Sequence, residues 1–303
     1  MLICLALLSW CVRAQGDESS PEEVKNLFQE LEKNNAAIMQ EIEKIKSSLT
    51  PKELAAFNRA VEDTRQGLTS TTVTIPNTTT NLILVYRMEH HPLVEEWLLS
   101  GNEPDITKQP VDAIVNPANQ HMQHGGGVAL VISKAAGPQL QAHHSAHPAV
   151  KPGTAIWSDS FDLKENGINY ILHAVGPDMN NPQQRAEGER LLRDTWYNTL
   201  ALAADIPSIK TIAFPSISTG IFGFPKDRAA HIAINTVVDF VQKQAPDRFE
   251  EIRLVLWDDT KPYYINALVD AGLLPEENRL AIPTESAKPS YWQQFKNLFM
   301  NIF

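Results

Sequence analysis

Two stretches of this chain combine amide side chains, small residues and bare backbone in a way that suits an anionic ligand. Residues 115–130 read "VNPANQHMQHGGGVAL", in which Asn116 and Asn119 precede three consecutive glycines, Gly125, Gly126 and Gly127. Glycine inside regular structure is disfavoured by about 0.5–1 kcal/mol against alanine, so a run of it needs a reason. Here it lets a ligand touch the main chain, while the helix that starts at Gly127 directs its first N–H groups at a negative charge. Residues 214–225, "FPSISTGIFGFP", repeat the theme with Ser216, Ser218, Thr219, Gly220, Ile221, Phe222 and Gly223. Successive N–H groups of such a loop form a nest for a phosphate or diphosphate. A third group, Asp105 in "PDITKQPVDAIVN", stands eleven residues before Asn116.

Two such loops facing one another suggest a diphosphate held between them. Charge-assisted N–H contacts are worth about 1.5–3 kcal/mol each away from water, so a few suffice for micromolar binding. Neither loop carries the Lys-[Ser/Thr] of a Walker A motif, and no strand is followed by G-x-G-x-x-G. An NTPase and a Rossmann dehydrogenase are therefore poorly supported.

These loops need strands to hold them. Apolar runs at 82–87, 111–115, 169–175, 210–215 and 252–257 predict buried strands. They alternate with helical patterns at 92–100, 127–137, 186–204, 226–243 and 261–271. That alternation predicts a three-layer αβα domain over residues 81–275, its sheet largely parallel and covered on both faces. Strand "DAIV" is expected to end at Asn116 and "TIAFP" at Pro215, so both loops fall at the carboxyl ends where open α/β sheets bind ligands.

Four segments flank this domain. Residues 1–15 contain an apolar stretch, Leu2 to Val12, too short to span a bilayer but suited to the core of a signal peptide, with Val12-Arg13-Ala14 as a cleavage site. No Lys or Arg precedes it, so a frayed apolar terminus is the alternative, as cytoplasmic residence is to the favoured secreted or periplasmic location. The only cysteines, Cys4 and Cys11, lie in this stretch, which leaves a mature chain without a disulfide or a thiol nucleophile. Residues 21–67 predict a helical hairpin suited to packing, partner binding or self-association. Residues 68–80, rich in Thr around Pro76, read as an extended linker. Residues 276–303 form an extension whose end, "SYWQQFKNLFMNIF", sets Trp292, Phe295, Leu298, Phe299 and Ile302 on one helical face. The net charge of −10 argues against a general nucleic-acid or anionic-membrane binder, but leaves room for a small anion held by backbone N–H groups.

The segments "PDITKQPVDAIVNPAN", "HGGGVALVISKAAGPQLQ", "PGTAIWS", "YILHAVGP" and "IAFPSISTGIFGFP", in this order, resemble the macrodomain family over about residues 81–272. The resemblance implies a mixed, mostly parallel sheet between helices, a cleft for ADP-ribose and, position by position, a role for each residue. Asp105, beside the Ile106 backbone, matches the aspartate that binds the adenine amino group, and Trp257 the aromatic that packs on adenine. Ser218, Thr219, Gly220, Ile221 and Phe222 match the diphosphate loop, with Phe222 beside the distal ribose. Asn119 matches the asparagine on that ribose, and Gly125 to Gly127, with Val128 following, the loop near its reactive carbon. Asn119, Gly126 and Phe222 are thus the implied catalytic set, and Asn116 joins the ligand-binding group while also holding the turn. One departure matters: Ala129 stands where the protein-deacylating branch has an aspartate. The resemblance therefore leaves two activities open, slow hydrolysis of mono-ADP-ribose and reading of ADP-ribosylated proteins without turnover.

No cofactor and no metal are expected. His90-His91 and His143, His144 and His147 lack a familiar ligand spacing and read as exposed loop residues. His173 reads as a satisfied core histidine, His121 and His124 as residues that rim the ribose pocket, and Asp258-Asp259 as helix caps.

Overall fold

A computed structural model describes residues 68–87, 104–144, 148–257 and 259–282, together with Ser47. The expected signal peptide, helical hairpin, helix 92–100 and aromatic tail fall outside the described residues. The chain builds a seven-stranded sheet in the order β1-β2-β7-β6-β3-β5-β4. Its strands are β1 Leu68–Thr74, β2 Asn81–Arg87, β3 Ala113–Ala118, β4 Thr154–Asp159, β5 Tyr170–Val175, β6 Thr211–Pro215 and β7 Glu251–Val255. The five inner strands run parallel, while β1 lies antiparallel to β2 and β4 antiparallel to β5. The expected mixed, mostly parallel αβα architecture is found.

Alternate residues of each inner strand serve opposite layers. Val115, Leu172, Phe214 and Leu254 join one core with helices α4 (Gly188–Ala204), α5 (Lys226–Gln244) and α6 (Lys261–Asp270). Their neighbours Ile114, Ile171, Ala213 and Val255 join the other with α1 (Gly127–Ala136) and α2 (Pro138–His144). Burial on both faces is why these strands read as unbroken apolar runs. A short helix, α3 (Pro182–Arg185), completes the set.

The expected linker at 68–80 is instead part of the sheet. β1 pairs with β2 from Leu68↔Arg87 to Thr74↔Asn81, and the turn closes through Ile75 N to Thr80 O at 3.0 Å with Asn77 at φ 64°. Threonine is β-branched and favours a pleated surface, and here exposed Thr72 and Thr74 alternate with buried Val73 and Ile75. β4 also lies outside the predicted strands.

At the other end, residues 276–282 dock on the domain rather than leaving it. The Asn266 side chain brackets Leu280, donating to its carbonyl at 2.9 Å and accepting from its N–H at 2.8 Å. Arg279 reaches Asp270 at 2.7 Å, and Asp270 in turn meets His231 Nε2 at 2.7 Å. Burial pulls the His231 pKa down, but hydrogen bonds to Asp227 O and Asp270, with the charges of both carboxylates, raise it above its ordinary 6.5 overall. A raised folded-state value contributes stability that is full below the unfolded pKa and fades as pH rises through the folded one. The thermal midpoint of wild type should therefore exceed that of His231→Gln by more at about pH 5.5 than at about pH 8.5. An equal gap at both would refute the assignment.

Candidate functional site

The sheet has its switch point between β3 and β6, because the helix after β3 covers one face and the helix after β6 the other. A crevice forms at the carboxyl ends of such strands. Two loops border it, 119–126 leading into α1 and 216–225 leading into α5.

The first loop is built around Asn119. Its Oδ1 accepts from His121 N at 2.9 Å and Gln123 N at 3.1 Å, and its Nδ2 donates to Gln123 O at 2.7 Å. Nδ2 carries a second amide hydrogen beyond this bond. β3 runs on through Pro117 to Ala118, two residues past its expected end, and Met122 is buried at φ 52° where the chain folds back. The three glycines then differ in need. Gly127 has φ 55°, a conformation L side chains rarely adopt, whereas Gly126 is extended. A Cβ on Gly126 would lie 3.1 Å from Ile221 Cδ1, and one on Gly125 would meet nothing within 4 Å. Gly126 is the N-cap of α1 and supplies no side-chain cap, which leaves the first N–H groups of the helix to be met by another acceptor.

The second loop is held from two sides by three hydrogen bonds. Asn180 Nδ2 donates to Ile221 O at 3.0 Å, Met179 N to Phe222 O at 2.8 Å, and Tyr264 OH to Ser216 Oγ at 3.1 Å. Burial pushes the Tyr264 phenol pKa up, so it stays a donor. Thr219 Oγ1 donates to Ser216 O at 3.0 Å, and Phe224 N to Ser218 O at 2.9 Å. Ser218 sits at φ 64° and its buried hydroxyl has no hydrogen-bond partner. Strain of this kind persists only where surrounding contacts impose it. Room for the serine comes from Gly176, just after β5, where a Cβ would lie 2.2 Å from Ser218 Oγ. Ile221 Cδ1 thus stands close to the position a Gly126 side chain would take, which brings the two loops near one another.

The remaining expected residues are spread along the same edge. Asp105 caps a short 3-10 turn, Ile106–Lys108, through Oδ1, which accepts from Thr107 N at 2.9 Å and Thr107 Oγ1 at 2.7 Å. Its Oδ2 lies 3.9 Å from Lys108 Nζ, and the Ile106 side chain is buried. Trp257 is half-buried after β7, and its carbonyl accepts from Thr260 N at 2.8 Å. Asp259 does not cap α6: it pairs with Lys226, while Asp258 is outside the described residues.

Asn116 requires a correction. It is fully buried, so it is not among the residues that face a ligand. Two residues beyond Ile114 on the same strand, its side chain turns into the α1/α2 layer and its Nδ2 lies 3.1 Å from His124 Nδ1 and 2.9 Å from His173 Nδ1. His124 and His144 also differ from expectation, being buried instead of rimming the pocket or lying in an exposed loop. His121 and His143 are exposed, and His90, His91 and His147 are outside the described residues.

The macro domain profile matches residues 115–233, which span both loops. An O-acetyl-ADP-ribose deacetylase of Enterobacter sp. is 38% identical over 178 residues, covering 57% of this chain and 94% of that protein. This chain belongs to the macrodomain family. A macro domain-containing protein of Methanosarcina mazei is 44% identical over 141 residues, 46% of this chain and 72% of that one. Among solved macrodomains, that of Oceanobacillus iheyensis with ADP shares 29% identity at a TM-score of 0.54, covering 67% of this chain and 97% of its own. In this macrodomain the antiparallel β1 and the docked residues 276–282 lie outside the profile match.

Proposed function

We propose that this macrodomain binds ADP-ribose along the crevice and hydrolyses mono-ADP-ribose from modified proteins or ADP-ribose derivatives. The observation that carries the reading is the approach of Ile221 to Gly126, which brings an uncapped helix start and a strained, hydroxyl-rich loop to bear on one gap. Two sets of N–H groups converging on one gap suit a diphosphate. Asp105 Oδ2 then takes the adenine amino group, Trp257 packs on the ring, and Ser218 to Phe222 cradle the diphosphate. The distal ribose meets Asn119, through its remaining amide hydrogen, and Gly125 to Gly127. Relatives named O-acetyl-ADP-ribose deacetylase support the hydrolytic half.

The chemistry is positional. Ala129, buried on the first turn of α1, offers no carboxylate to activate a water. The ligand's own diphosphate instead holds the water between Asn119 and Phe222, and proximity supplies the rate. Without a protein base the rate falls by about 10²–10⁴-fold in typical enzymes, so turnover is slow. Ala129 is equally the feature that favours a second reading, a non-catalytic reader of ADP-ribosylated proteins.

The test has two steps. Calorimetry with ADP-ribose should show binding in the micromolar range; no heat at about 100 µM ligand would reject both readings. A mono-ADP-ribosylated acidic peptide should then lose its label under wild type and about 10²-fold more slowly under Asn119→Ala. Binding with an untouched label would select the reader.

A further inference from the structure

Beneath the glycine loop, in the layer between the sheet and α2, three imidazoles meet in the interior. His124 comes from the turn before Gly125, His144 ends α2, and His173 lies within β5; they are 4%, 2% and 0% exposed. One ring nitrogen from each lies within 4.8 Å of those of the other two. His124 Nε2 and His144 Nδ1 stand 3.1 Å apart. Two nitrogens of a tetrahedral ion bound at about 2.0–2.1 Å are separated by roughly 3.3–3.4 Å. The first pair is thus already near ligand spacing, and His173 closes the triangle with its ring centroid 4.3 Å from that of His144.

We propose that His124, His144 and His173 form a binding site for a zinc-type divalent cation, which ties α2 and β5 to the turn ahead of Gly125.

The donor set decides the class of ion. Three imidazoles without a carboxylate or thiolate suit zinc and its late first-row neighbours, and suit magnesium or calcium poorly. All three rings are buried, and imidazole ligates in its neutral form. Asn116 supplies an independent observation. Its Oδ1 is buried and has no hydrogen-bond partner, while its Nδ2 faces the Nδ1 atoms of His124 and His173. When His124 binds a cation through Nε2, its proton moves to Nδ1. An end-over-end turn of the Asn116 amide then offers Oδ1 to that N–H, and the orphaned oxygen gains its donor. Ligating histidines are commonly oriented by such a partner on the second nitrogen. On the far side Ser158 Oγ, 2.9 Å from His173 Nε2, steadies the third ring. The ion acts structurally in this scheme, so it stands or falls apart from any reaction of ADP-ribose.

The experiment uses the full chain, stripped with chelator and free of a histidine tag, titrated with zinc chloride against a chromogenic chelator. One tight zinc per chain is expected, unchanged in His143→Ala, which removes the exposed neighbour, and at least roughly 100-fold weaker in His144→Gln and His124→Gln. No tight zinc in wild type, or equal affinity in His144→Gln and wild type, would overturn the site. If either variant fails to fold by circular dichroism, wild type loaded with cobalt(II) decides. Intense visible bands of a four-coordinate ion support the site, and the weak bands of a hydrated octahedral ion overturn it.

Discussion

Gly176→Ala should loosen ADP-ribose binding by at least roughly tenfold while lowering stability by about 1–3 kcal/mol, the usual cost of overpacking. The new Cβ would lie 2.2 Å from Ser218 Oγ and 2.8 Å from Ile217 Cγ2. The serine hydroxyl can rotate away, but the Ile217 methyl belongs to a stiff β-branched side chain that is 1% exposed. The loop must therefore shift, and Ser218 with it, although Gly176 itself has an ordinary φ. Calorimetry and urea denaturation on the same variant check both halves. A variant that is destabilised yet binds normally would show that the strained serine conformation has no part in ligand binding.

Trp196→Ala should produce the largest loss of stability, about 3–5 kcal/mol, or on the order of 10 °C in thermal midpoint. Trp196 is 1% exposed and stacks on Phe214, with ring centroids 4.6 Å apart and planes at 21°. Phe214 in turn precedes Pro215, where β6 ends and the second loop begins. The cavity left in the α4 layer thus opens directly below the crevice. A loss under about 1 kcal/mol would mean that the neighbouring helices collapse into the space.

The inner sheet was legible because strands buried on both sides carry continuous apolar runs, and turn residues bounded each one. β1 was not, because Thr and Pro76 together resemble an extended connector; only the alternation of Val73 and Ile75 with Thr72 and Thr74 betrays a half-buried edge strand. β4 shows no clean alternation, since most of its side chains are partly exposed at the opposite edge. Within the site, spacing could not rank three adjacent glycines. Gly127 needs its backbone angle and Gly126 its empty Cβ position, and both depend on atoms far away in sequence or on the helix entry. The two asparagines likewise differ only through the pleat, which turns Asn116 inward and leaves Asn119 to shape the loop. The histidine cluster was hidden for the same reason. His124, His144 and His173 are distant in sequence, and only the packing of α2 on β5 and the turn brings them together.

The polarity of β1 bears on what the chain can carry beside its crevice. Leu68 pairs with Arg87, at the carboxyl edge of the sheet that also bears both loops. Three strand spacings separate β1 from β6, about 14 Å, a span that roughly four extended residues cover. Anything joined ahead of Leu68 is accordingly tethered at the mouth of the crevice rather than behind it. The length of its link to Leu68 then fixes the effective concentration of any such group at the opening.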